Sequence, residues 1–534
     1  MSKIKERLGM KNFKAIIIGL VTLCCITIPN KGIAQKKRKK KNVLVIYTDD
    51  HRYTGVHVLG NQQIKTPHID RLAKEGIRFN KTYLMGAITG ATCVPSRAML
   101  LTGRNMFSLK GEGRHIPKVH TTMGETFQKA GYNTHIVGKW HQDIASLSRS
   151  FDSGSTVMSL GVYLQDHFRM PMWDWDKTGE FPKDKAYLLE YDDKGEVIKR
   201  DINKQDKRGQ IGNEKLAPHS SEVFANSASK FIRQYRSKNP FFMYLAFHAP
   251  HDPRQAPQKY KDMYPVKDVE LPPSYMPQHP FDNGHLYIRD ERLATFPRTK
   301  TVAQEQLASY YAIITHLDDQ IGKVVQALKD SGQYEDTIIV LAGDSGLAVG
   351  NHGLMGKQNL YDEDGIHIPF IISGGIKEKG KEVNTYAYIH DIFPTICDLA
   401  QIKMPESVLG KSLKPVIIGE AKAIRDYTYH AYRQHQRAYR KGDFKLIEFV
   451  KAPEYNSKKK TEQLTGSKVT LLFNITEDPW ETQNLAFFPK YKKVVAAMKR
   501  EMREKAVQLG DKKENLQDLY IPRLSLKYDF WDYY

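Results

Sequence analysis

The chain has 534 residues, of which 40% are hydrophobic and 26% charged, and its formal net charge is +21 at pH 7. This length allows one large domain and a smaller one, and the apolar fraction is that of an ordinary soluble globular protein. Residues 1–34 contribute +5 and residues 36–41 contribute +6, so the rest of the chain carries about +10. This excess favours a polyanionic partner. Because the sequence matches no nucleic-acid-binding motif, we exclude a nucleic acid as that partner.

A secretory signal peptide is predicted at residues 1–34. Basic residues precede an apolar run at residues 15–28, and small residues that suit cleavage follow it. The run is too short for a membrane span, so no span is expected. A basic linker is predicted at residues 35–41. Export to the periplasm or the medium would leave Cys93 and Cys397 as the cysteines of the mature chain, which excludes a disulfide framework.

Continuous apolar runs predict strands that are buried on both faces of a parallel sheet, at residues 42–48, 133–137, 240–247 and 337–343. Amphipathic helices are predicted between them, at residues 122–130 and 306–328. This alternation of strands and helices is typical of an α/β domain with a mostly parallel central sheet. We place that domain, as the catalytic one, at residues 42–420.

The pattern changes after residue 420. Short alternating segments at residues 444–449 and 470–474 predict antiparallel strands, and a basic amphipathic helix at residues 489–509 is expected to lie across them. Residues 421–534 are therefore predicted to form a smaller α+β subdomain with an antiparallel sheet.

Polar side chains follow the predicted parallel strands. Asp49 and Asp50 end the first strand, Asp344 ends the last, and Lys139 and His141 follow the strand at residues 133–137. Ligands of open α/β sheets bind at this edge, so we expect these side chains to converge. The three carboxylates are hard oxygen ligands, which suit Ca²⁺ in an exported protein better than Zn²⁺.

The segment Cys-Val-Pro-Ser-Arg at residues 93–97 is predicted to begin a helix, because Pro95 suits a first helical position. Cys93 would stand just before the helix N-terminus. Free backbone N–H groups there, with Arg97 and Arg104 nearby, favour a tetrahedral oxyanion. A buried structural cysteine is the alternative interpretation of this residue.

This segment, followed by Thr-Gly-Arg at residues 102–104, resembles the signature of the type I sulfatases. Three later segments also resemble elements of that family, and they occur in the same order as in the family. They are Gly-Lys-Trp-His at residues 138–141, Ala-Pro-His-Asp-Pro at residues 249–253 and the loop that contains Lys357. The resemblance implies an alkaline-phosphatase-like α/β sandwich and a sulfuric ester hydrolase. It also implies that Cys93 is oxidised to formylglycine (3-oxoalanine) by a formylglycine-generating or anaerobic sulfatase-maturating enzyme.

The resemblance further implies a metal site. Ca²⁺ would be bound by Asp49, Asp50, Asp344 and the formylglycine derived from Cys93. Ser345 follows Asp344 at the position where sulfatases usually carry Asn or His as a further metal ligand or neighbour. We include Ser345 in the predicted metal site, although its side chain is shorter.

The same resemblance implies the catalytic roles. Arg97 and Lys139 would hold the formylglycine hydroxyls and the sulfate oxygens near the metal. Lys357 and His251 would contact the ester side, with His251 protonating the leaving oxygen. His141 would help to expel sulfate and regenerate the aldehyde.

Substrate contacts are predicted on two irregular segments, residues 150–215 and residues 280–298, because long insertions in α/β enzymes usually shape the substrate site. The aromatic and basic side chains of the first segment suit a sulfated sugar ring, and simple packing of its tryptophans is an equal alternative. The individual candidates for substrate contact are His167, Arg169, His248 and His352.

The expected substrate is a sulfated polysaccharide or its oligosaccharides, such as an algal polymer like ulvan or carrageenan, or a glycosaminoglycan. Three alternatives stay open at this point. A phosphoester hydrolase of the same superfold would normally use Ser or Thr with two Zn²⁺ ions and several histidines. A cysteine hydrolase would leave the three aspartates without a purpose. An inactive protein that binds sulfated glycans would retain the fold without turnover.

Overall fold

The structure, a computed structural model, describes residues 40–110, 113–162, 164, 166–451, 454–455, 463–464, 467–511 and 530–534. The predicted signal peptide and most of the predicted basic linker lie outside these residues. The chain from residue 40 onward forms one compact unit. The boundary at residue 420 therefore stays a prediction. None of the described helices is long and apolar enough to cross a membrane.

The described strands are, in chain order, β1 (Asn42–Thr48), β2 (Ile77–Phe79), β3 (Thr82–Tyr83), β4 (Gly86–Ala87), β5 (Asn133–Lys139), β6 (Ser153–Met158), β7 (Tyr187–Tyr191), β8 (Val197–Asp201), β9 (Phe241–Ala246), β10 (Thr337–Gly343), β11 (Phe370–Gly374), β12 (Lys381–Val383), β13 (Ala387–Tyr388), β14 (Tyr427–Tyr432), β15 (Gln436–Lys441), β16 (Phe444–Lys451), β17 (Glu454–Tyr455), β18 (Gln463–Leu464) and β19 (Ser467–Asn474). The described α-helices are α1 (Pro67–Glu75), α2 (Cys93–Thr102), α3 (Met123–Lys129), α4 (Ile144–Ser150), α5 (Ser220–Gln234), α6 (Gln258–Lys261), α7 (Lys300–Asp330), α8 (Ile392–Ala400), α9 (Lys414–Ile417), α10 (Lys492–Leu509) and α11 (Phe530–Tyr533).

Eight strands form the central sheet in the order β12-β2-β11-β10-β1-β9-β5-β6. Strand β1 lies in its middle, where Val43 faces Ile338 of β10 on one side and Phe242 of β9 on the other. Both pairings are parallel, and β11 runs against the other strands. The predicted mostly parallel sheet is therefore confirmed.

Each face of the central sheet is covered by helices. Val43, Val45 and Tyr47 point to one face, where they share a core with residues of α2, α3 and α8. Leu44 and Ile46 point to the other face and pack with α1, α5 and α7. The continuous apolar run of β1 follows from this burial on both sides.

A second sheet has the order β19-β16-β15-β14-β4. Its C-terminal strands are antiparallel, as predicted, and α10 packs against them. Strand β4 joins this sheet in parallel with β14 and precedes α2 in the chain. The small sheet is thus attached directly to the segment that leads to Cys93.

The segment at residues 150–215 is more regular than the sequence analysis predicted. Strand β6 extends the central sheet at its edge beside β5, and β7 and β8 form a hairpin. The first residues of β6 are Ser, Gly, Ser and Thr and are only partly buried. An edge strand with this composition lacks the apolar run by which the other strands were identified.

Candidate active site

Three buried carboxylates meet where β1 and β10 end side by side. The two strands pair as far as Thr48 and Gly343, which brings Asp49 and Asp50 next to Asp344. The backbone N–H of Asp50 donates to Asp344 Oδ1 over 2.8 Å. All three aspartates are fully buried. The predicted convergence of these residues is therefore present in the structure.

Cys93 is the first residue of α2 and lies beside the carboxylates. It was predicted just before the helix, a difference within the usual uncertainty of helix ends. Its Sγ stands 3.3 Å from His141 Nδ1. Burial raises the pKa of the Cys93 thiol to about 11 even though Lys139 and Lys357 favour the thiolate. The thiol is thus protonated near neutral pH and is a weak nucleophile.

Arg97, which lies in the same helix as Cys93, connects that helix to the carboxylates through hydrogen bonds. Its Nη2 donates to Asp49 Oδ2 over 3.2 Å and approaches Asp344 Oδ2 at 3.5 Å. Its Nη1 donates to the backbone oxygen of Lys139 and to the Tyr244 hydroxyl, each over 3.1 Å. Burial by itself would lower the pKa of Arg97, but Tyr244 and the two aspartates outweigh it and raise that pKa. Arg97 is therefore a fixed cation at the base of the site.

Two lysines contact the same cluster from the pocket side. Lys139 Nζ donates to Asp49 Oδ2, and Lys357 Nζ donates to Asp50 Oδ1. Burial opposes the charged form of both, yet the adjacent carboxylates raise the pKa of each lysine. Both ammonium groups are therefore charged and face the position where an anionic ligand would lie.

His251 presents one ring nitrogen to the site. Its Nδ1 lies 2.7 Å from the backbone oxygen of Asp252 and therefore carries the hydrogen of that bond. Its Nε2 is 3.8 Å from Asp50 Oδ2. His248 lies beside it, with Nδ1 3.6 Å from Asp49 Oδ2, and burial together with Lys139 holds the pKa of His248 well below its ordinary value.

The carboxylate cluster fits a hard divalent cation. Ligand atoms of Asp49, Cys93 and Asp344 lie within 4.8 Å of one another, and the same is true of Asp49, Asp50 and His251. Asp49 Oδ1 and Asp50 Oδ2 are buried without a hydrogen-bond partner. Burial, and then the charge of Asp49, raises the pKa of Asp344 well above its ordinary value. A cation with oxygen ligands would remove both of these unfavourable features.

Ser345 belongs to this cluster. Its Oγ donates to Asp50 Oδ1 over 3.1 Å and lies 3.4 Å from Asp344 Oδ1. Its short side chain therefore reaches the carboxylates, and its hydroxyl can support a metal ion through them or directly.

A pocket of about 380 Å³ opens onto Cys93. The predicted residues that line it are Cys93, Lys139, His141, His248, His251 and Lys357. Arg97 and the aspartates lie beneath them without solvent exposure. The structure thus brings the predicted catalytic and metal-site residues together as two layers of one site.

Three of the four predicted substrate contacts do not line this pocket. His167 is buried behind it and bonds Ser220 Oγ at 2.8 Å and the backbone oxygen of His251 at 3.0 Å. Arg169 pairs with Asp206, and His352 pairs with Asp364. The polar groups of these three residues are used by the protein itself, and their contact with substrate stays a prediction.

Other residues line the pocket that the sequence analysis did not single out: Met158, Arg208, Ile288, Arg289, Asp290, Gln358 and Arg433. Three of these fall in the rim loop predicted at residues 280–298. Arg433 comes from the turn between β14 and β15, and a single arginine in a turn carries no recognisable signal in the sequence. The predicted aromatic lining is not found at Trp173, which is 1% exposed.

Family models match most of the described chain. A model described as Sulfatase matches residues 41–402, which is more than half of the chain. A second model, described as N-sulphoglucosamine sulphohydrolase, C-terminal, matches residues 350–508.

Individual relatives agree with this assignment. An ulvan-active sulfatase of Formosa agariphila is 26% identical over an alignment that covers 95% of this chain and 89% of the relative. An N-acetylglucosamine-6-O-sulfatase of Bacteroides thetaiotaomicron is also 26% identical, with coverages of 92% and 91%.

A solved structure of a protein in complex with its substrate D-glucosamine-2-N,6-O-disulfate superimposes with a TM-score of 0.66 and 21% identity, covering 89% of this chain and 99% of that one. This likeness confirms the predicted alkaline-phosphatase-like α/β fold. Since the family model spans both the strand ends that carry the aspartates and the helix that begins at Cys93, the chain belongs to the sulfatase family and is a sulfuric ester hydrolase.

Proposed function

We propose that this protein is an exported sulfatase that removes sulfate esters from a sulfated polysaccharide or its oligosaccharides, with formylglycine at position 93 and Ca²⁺ in the carboxylate cluster. The observation that carries the proposal is the position of Cys93. Its Sγ stands between a cluster of three buried aspartates and a pocket that is lined by Lys139 and Lys357. A sulfate ester placed there would meet a nucleophile, positive charge and a proton donor together.

The groups that this chemistry requires fit the residues present. Asp49, Asp50 and Asp344, supported by Ser345, would hold the ion together with the modified residue 93. Hydrated formylglycine would supply the hydroxyl nucleophile, and Ca²⁺ bound by these carboxylates would supply positive charge to the reacting groups. A maturation enzyme of the host, formylglycine-generating or anaerobic, would have to convert Cys93.

His141 is positioned to accept a proton from the nucleophile. Its Nδ1 is 3.3 Å from Cys93 Sγ, the atom that maturation would replace with oxygen. Burial, and then the charge of Lys139, holds the pKa of His141 well below its ordinary value, so the ring is neutral near pH 7. A neutral imidazole at this distance could accept a hydroxyl proton of the modified residue, which would help to break its bond to sulfate and to regenerate the aldehyde.

The two lysines would bind the sulfate group. Lys139 and Lys357 contact Asp49 and Asp50 from the pocket side, so their ammonium groups already stand at the mouth of the carboxylate cluster. They would neutralise the sulfuryl oxygens, whose charge is redistributed as the ester breaks. Arg97 keeps Asp49 and Asp344 in place from below.

His251 would protonate the leaving oxygen. Its Nδ1 hydrogen is held by the backbone oxygen of Asp252, so Nε2 is the nitrogen that can give a proton to the ligand. The sulfur–oxygen bond of the ester breaks, and the departing alcohol oxygen takes this proton. The Asp252 carboxylate lies 3.3 Å from Nδ1 and would help to hold the ring in this orientation.

Several observations support a carbohydrate substrate. The two curated relatives described above are named for ulvan and for N-acetylglucosamine 6-O-sulfate, and the solved structure contains a sulfated glucosamine. The basic body of the chain suits a sulfated polymer. Export, predicted from residues 1–34, would bring the enzyme to polymers outside the cell.

Sulfate release from a panel of sulfated algal and animal glycans tests the proposal. The protein is co-expressed with a formylglycine-generating enzyme, and ion chromatography measures free sulfate. We expect release from at least one glycan and none from Cys93→Ala. If mass spectrometry finds formylglycine at position 93 but no glycan releases sulfate, the proposed function is wrong and a glycan-binding protein without turnover becomes the better interpretation.

A further inference from the structure

Five cationic side chains line the pocket that opens onto Cys93: Lys139, Arg208, Arg289, Lys357 and Arg433. The two lysines contact the inner carboxylates, and Arg289 makes two hydrogen bonds of 2.8 Å to Asp252. Arg433 differs from these three, because no carboxylate of the described part of the chain pairs with it. Its positive charge is therefore not neutralised by the protein at this position.

A neutral histidine holds the Arg433 side chain in place. Arg433 Nη1 donates to His285 Nε2 over 2.9 Å, so His285 carries its own hydrogen on Nδ1 and donates it to the Tyr432 hydroxyl over 2.7 Å. Burial, and then the charge of Arg433, lowers the pKa of His285 to about 3. The neutral imidazole thus orients the guanidinium and adds no charge of its own.

The backbone of Arg433 is also fixed in an unusual conformation. Its φ is +44°, a left-handed value that residues with a Cβ seldom adopt and that is concentrated at ligand sites. Its N–H donates to the backbone oxygen of Ala87 over 2.8 Å, and its own carbonyl accepts from Arg437 Nη1 over 2.5 Å. Ala87 lies in β4, the strand that precedes Cys93. The turn that carries Arg433 is therefore anchored to the same segment as the nucleophile.

One N–H donor of the Arg433 guanidinium has no acceptor among the described residues. This donor is Nε, which is buried. A buried donor of this kind is costly unless a ligand accepts its hydrogen. A planar guanidinium is suited to an acceptor with two oxygens, such as a carboxylate or a sulfate.

We propose that Arg433 binds a second anionic group of the substrate, a carboxylate or a further sulfate, while the sulfate to be removed lies against residue 93. This inference rests on the proposed function, because the reacting sulfate defines how the ligand enters the pocket. In the proposed function the two lysines bind that first sulfate. Arg433 is left for a second anion, and both contacts lie in one pocket of about 380 Å³, so a single small ligand can make them.

Calorimetric titration of the unmatured protein, in which Cys93 remains a cysteine, tests this inference without turnover. The probes are a sulfated, uronate-containing disaccharide, its carboxyl-reduced counterpart, and the carboxyl-reduced disaccharide with a second sulfate. We expect at least one doubly charged probe to bind about ten- to a hundredfold more tightly than the singly charged one, the range of a charge-assisted hydrogen bond. The probe that gains affinity identifies the second anion as carboxylate or sulfate.

Arg433→Gln should remove this preference, and Arg433→Lys, which keeps the charge but not the paired donors, should recover part of it. Arg292→Gln removes the same charge from an exposed residue of the neighbouring rim loop and should retain the full preference. Equal affinity of the unaltered protein for all three probes, including no binding of any, overturns the inference. A preference that survives in Arg433→Gln overturns it as well.

The result of this titration can be distinguished from the result of the sulfate-release experiment that tests the proposed function. An Arg433-dependent preference in a protein that releases no sulfate after maturation would leave the anion site standing and remove the activity. Sulfate release without any Arg433-dependent preference would support the activity and overturn the anion site.

Discussion

His141 Nδ1 lies 3.3 Å from Cys93 Sγ, although the two residues come from different elements, the loop after β5 and the first turn of α2. His141 holds this position with a left-handed backbone, at a φ of 75°. Such a conformation costs about 1–3 kcal/mol and is found chiefly where the surrounding structure enforces it, often at active sites. This enforced contact supports the proposed role of residue 93 as the nucleophile.

Replacing His141 should slow the reaction without affecting maturation. We expect His141→Ala to lower kcat for sulfate release by about 10²- to 10⁴-fold, the usual contribution of a positioned acid or base. The peptide that contains residue 93 should show wild-type formylglycine content by mass spectrometry. His115→Ala, at a side chain that is 68% exposed, serves as the control. A kcat for His141→Ala within twofold of the control would contradict the role assigned to His141.

Chelation should destabilise the protein, because it would leave three buried carboxylates close together. We expect EDTA to lower the thermal midpoint and Ca²⁺ to restore it, with a stabilisation of about 2.7 kcal/mol at a free Ca²⁺ concentration one hundred times Kd. Asp344→Asn should abolish this response, whereas Asp262→Asn, at an exposed helix end, should keep it. A wild-type midpoint that is indifferent to Ca²⁺ would argue against a metal in this cluster.

The hydroxyl of Ser345 should contribute to metal affinity, because it donates to Asp50 Oδ1 over 3.1 Å. We expect Ser345→Ala to weaken Ca²⁺ binding by about tenfold or more, as is common for groups that support metal ligands. Isothermal titration calorimetry measures the change. Ser373→Ala, another fully buried serine, is the matched control. Equal Ca²⁺ affinities for the two variants would show that position 345 is not part of the site.

A buried ionic network should make the small C-terminal sheet essential for the stability of the whole unit. Lys445 Nζ lies 2.5 Å from Asp362 Oδ1 and 2.7 Å from Glu481 Oε1, and all three side chains are buried. Lys445→Met leaves two buried carboxyl groups without this partner. We expect a loss of about 3–5 kcal/mol in the free energy of unfolding, measured in urea.

Lys441→Met is the control for this prediction, because Lys441 is exposed and pairs with Glu501 at the surface. Exposed pairs contribute about 0–1 kcal/mol. If both lysine variants unfold at the same urea concentration, the buried network does not stabilise the attachment of the sheet.

Asp318 should make stability depend on pH. It accepts hydrogen bonds from the backbone N–H groups of His68 and Ile69 at the start of α1, yet burial raises its pKa from 3.8 to about 7. The folded protein therefore binds this proton more tightly than the unfolded chain. The resulting stabilisation is complete below pH 3.8 and is lost as the pH rises through 7, by at most about 1.4 kcal/mol per pH unit.

Urea unfolding of wild type and Asp318→Asn between pH 5 and pH 8 measures this effect as the difference between the two proteins. Wild type should lose stability relative to the variant as the pH increases up to about 7. A constant difference over this range would mean that Asp318 titrates in the folded state as it does in the unfolded chain.

Much of the fold was predictable because burial on both faces of a parallel sheet imposes continuous apolar runs. Strands β1, β5, β9 and β10 were found by this criterion, and their order in the chain predicted that their polar ends would meet. Strand β6 was missed because it lies at the edge of the sheet and begins with small polar residues. Strand β6 forms because it pairs with β5, and its own sequence does not indicate a strand.

The site was predictable to the extent that its residues follow strand ends or stand in recognisable segments. His167 and His352 were predicted to contact substrate, whereas in the structure both are buried and form hydrogen bonds with Ser220 and Asp364. Arg433 was not singled out from the sequence. It reaches the pocket only because β14 pairs with β4, a contact between distant parts of the chain that no local pattern indicates.

A comparison of activity with the degree of maturation tests whether residue 93 acts as formylglycine. Preparations expressed with and without a formylglycine-generating enzyme would differ in formylglycine content at position 93, which mass spectrometry quantifies. Sulfate release from a substrate glycan should be proportional to that content and absent when Cys93 is unconverted. Full activity in the unconverted protein, or none in the fully converted protein with any sulfate ester, would show that formylglycine at position 93 is not the nucleophile.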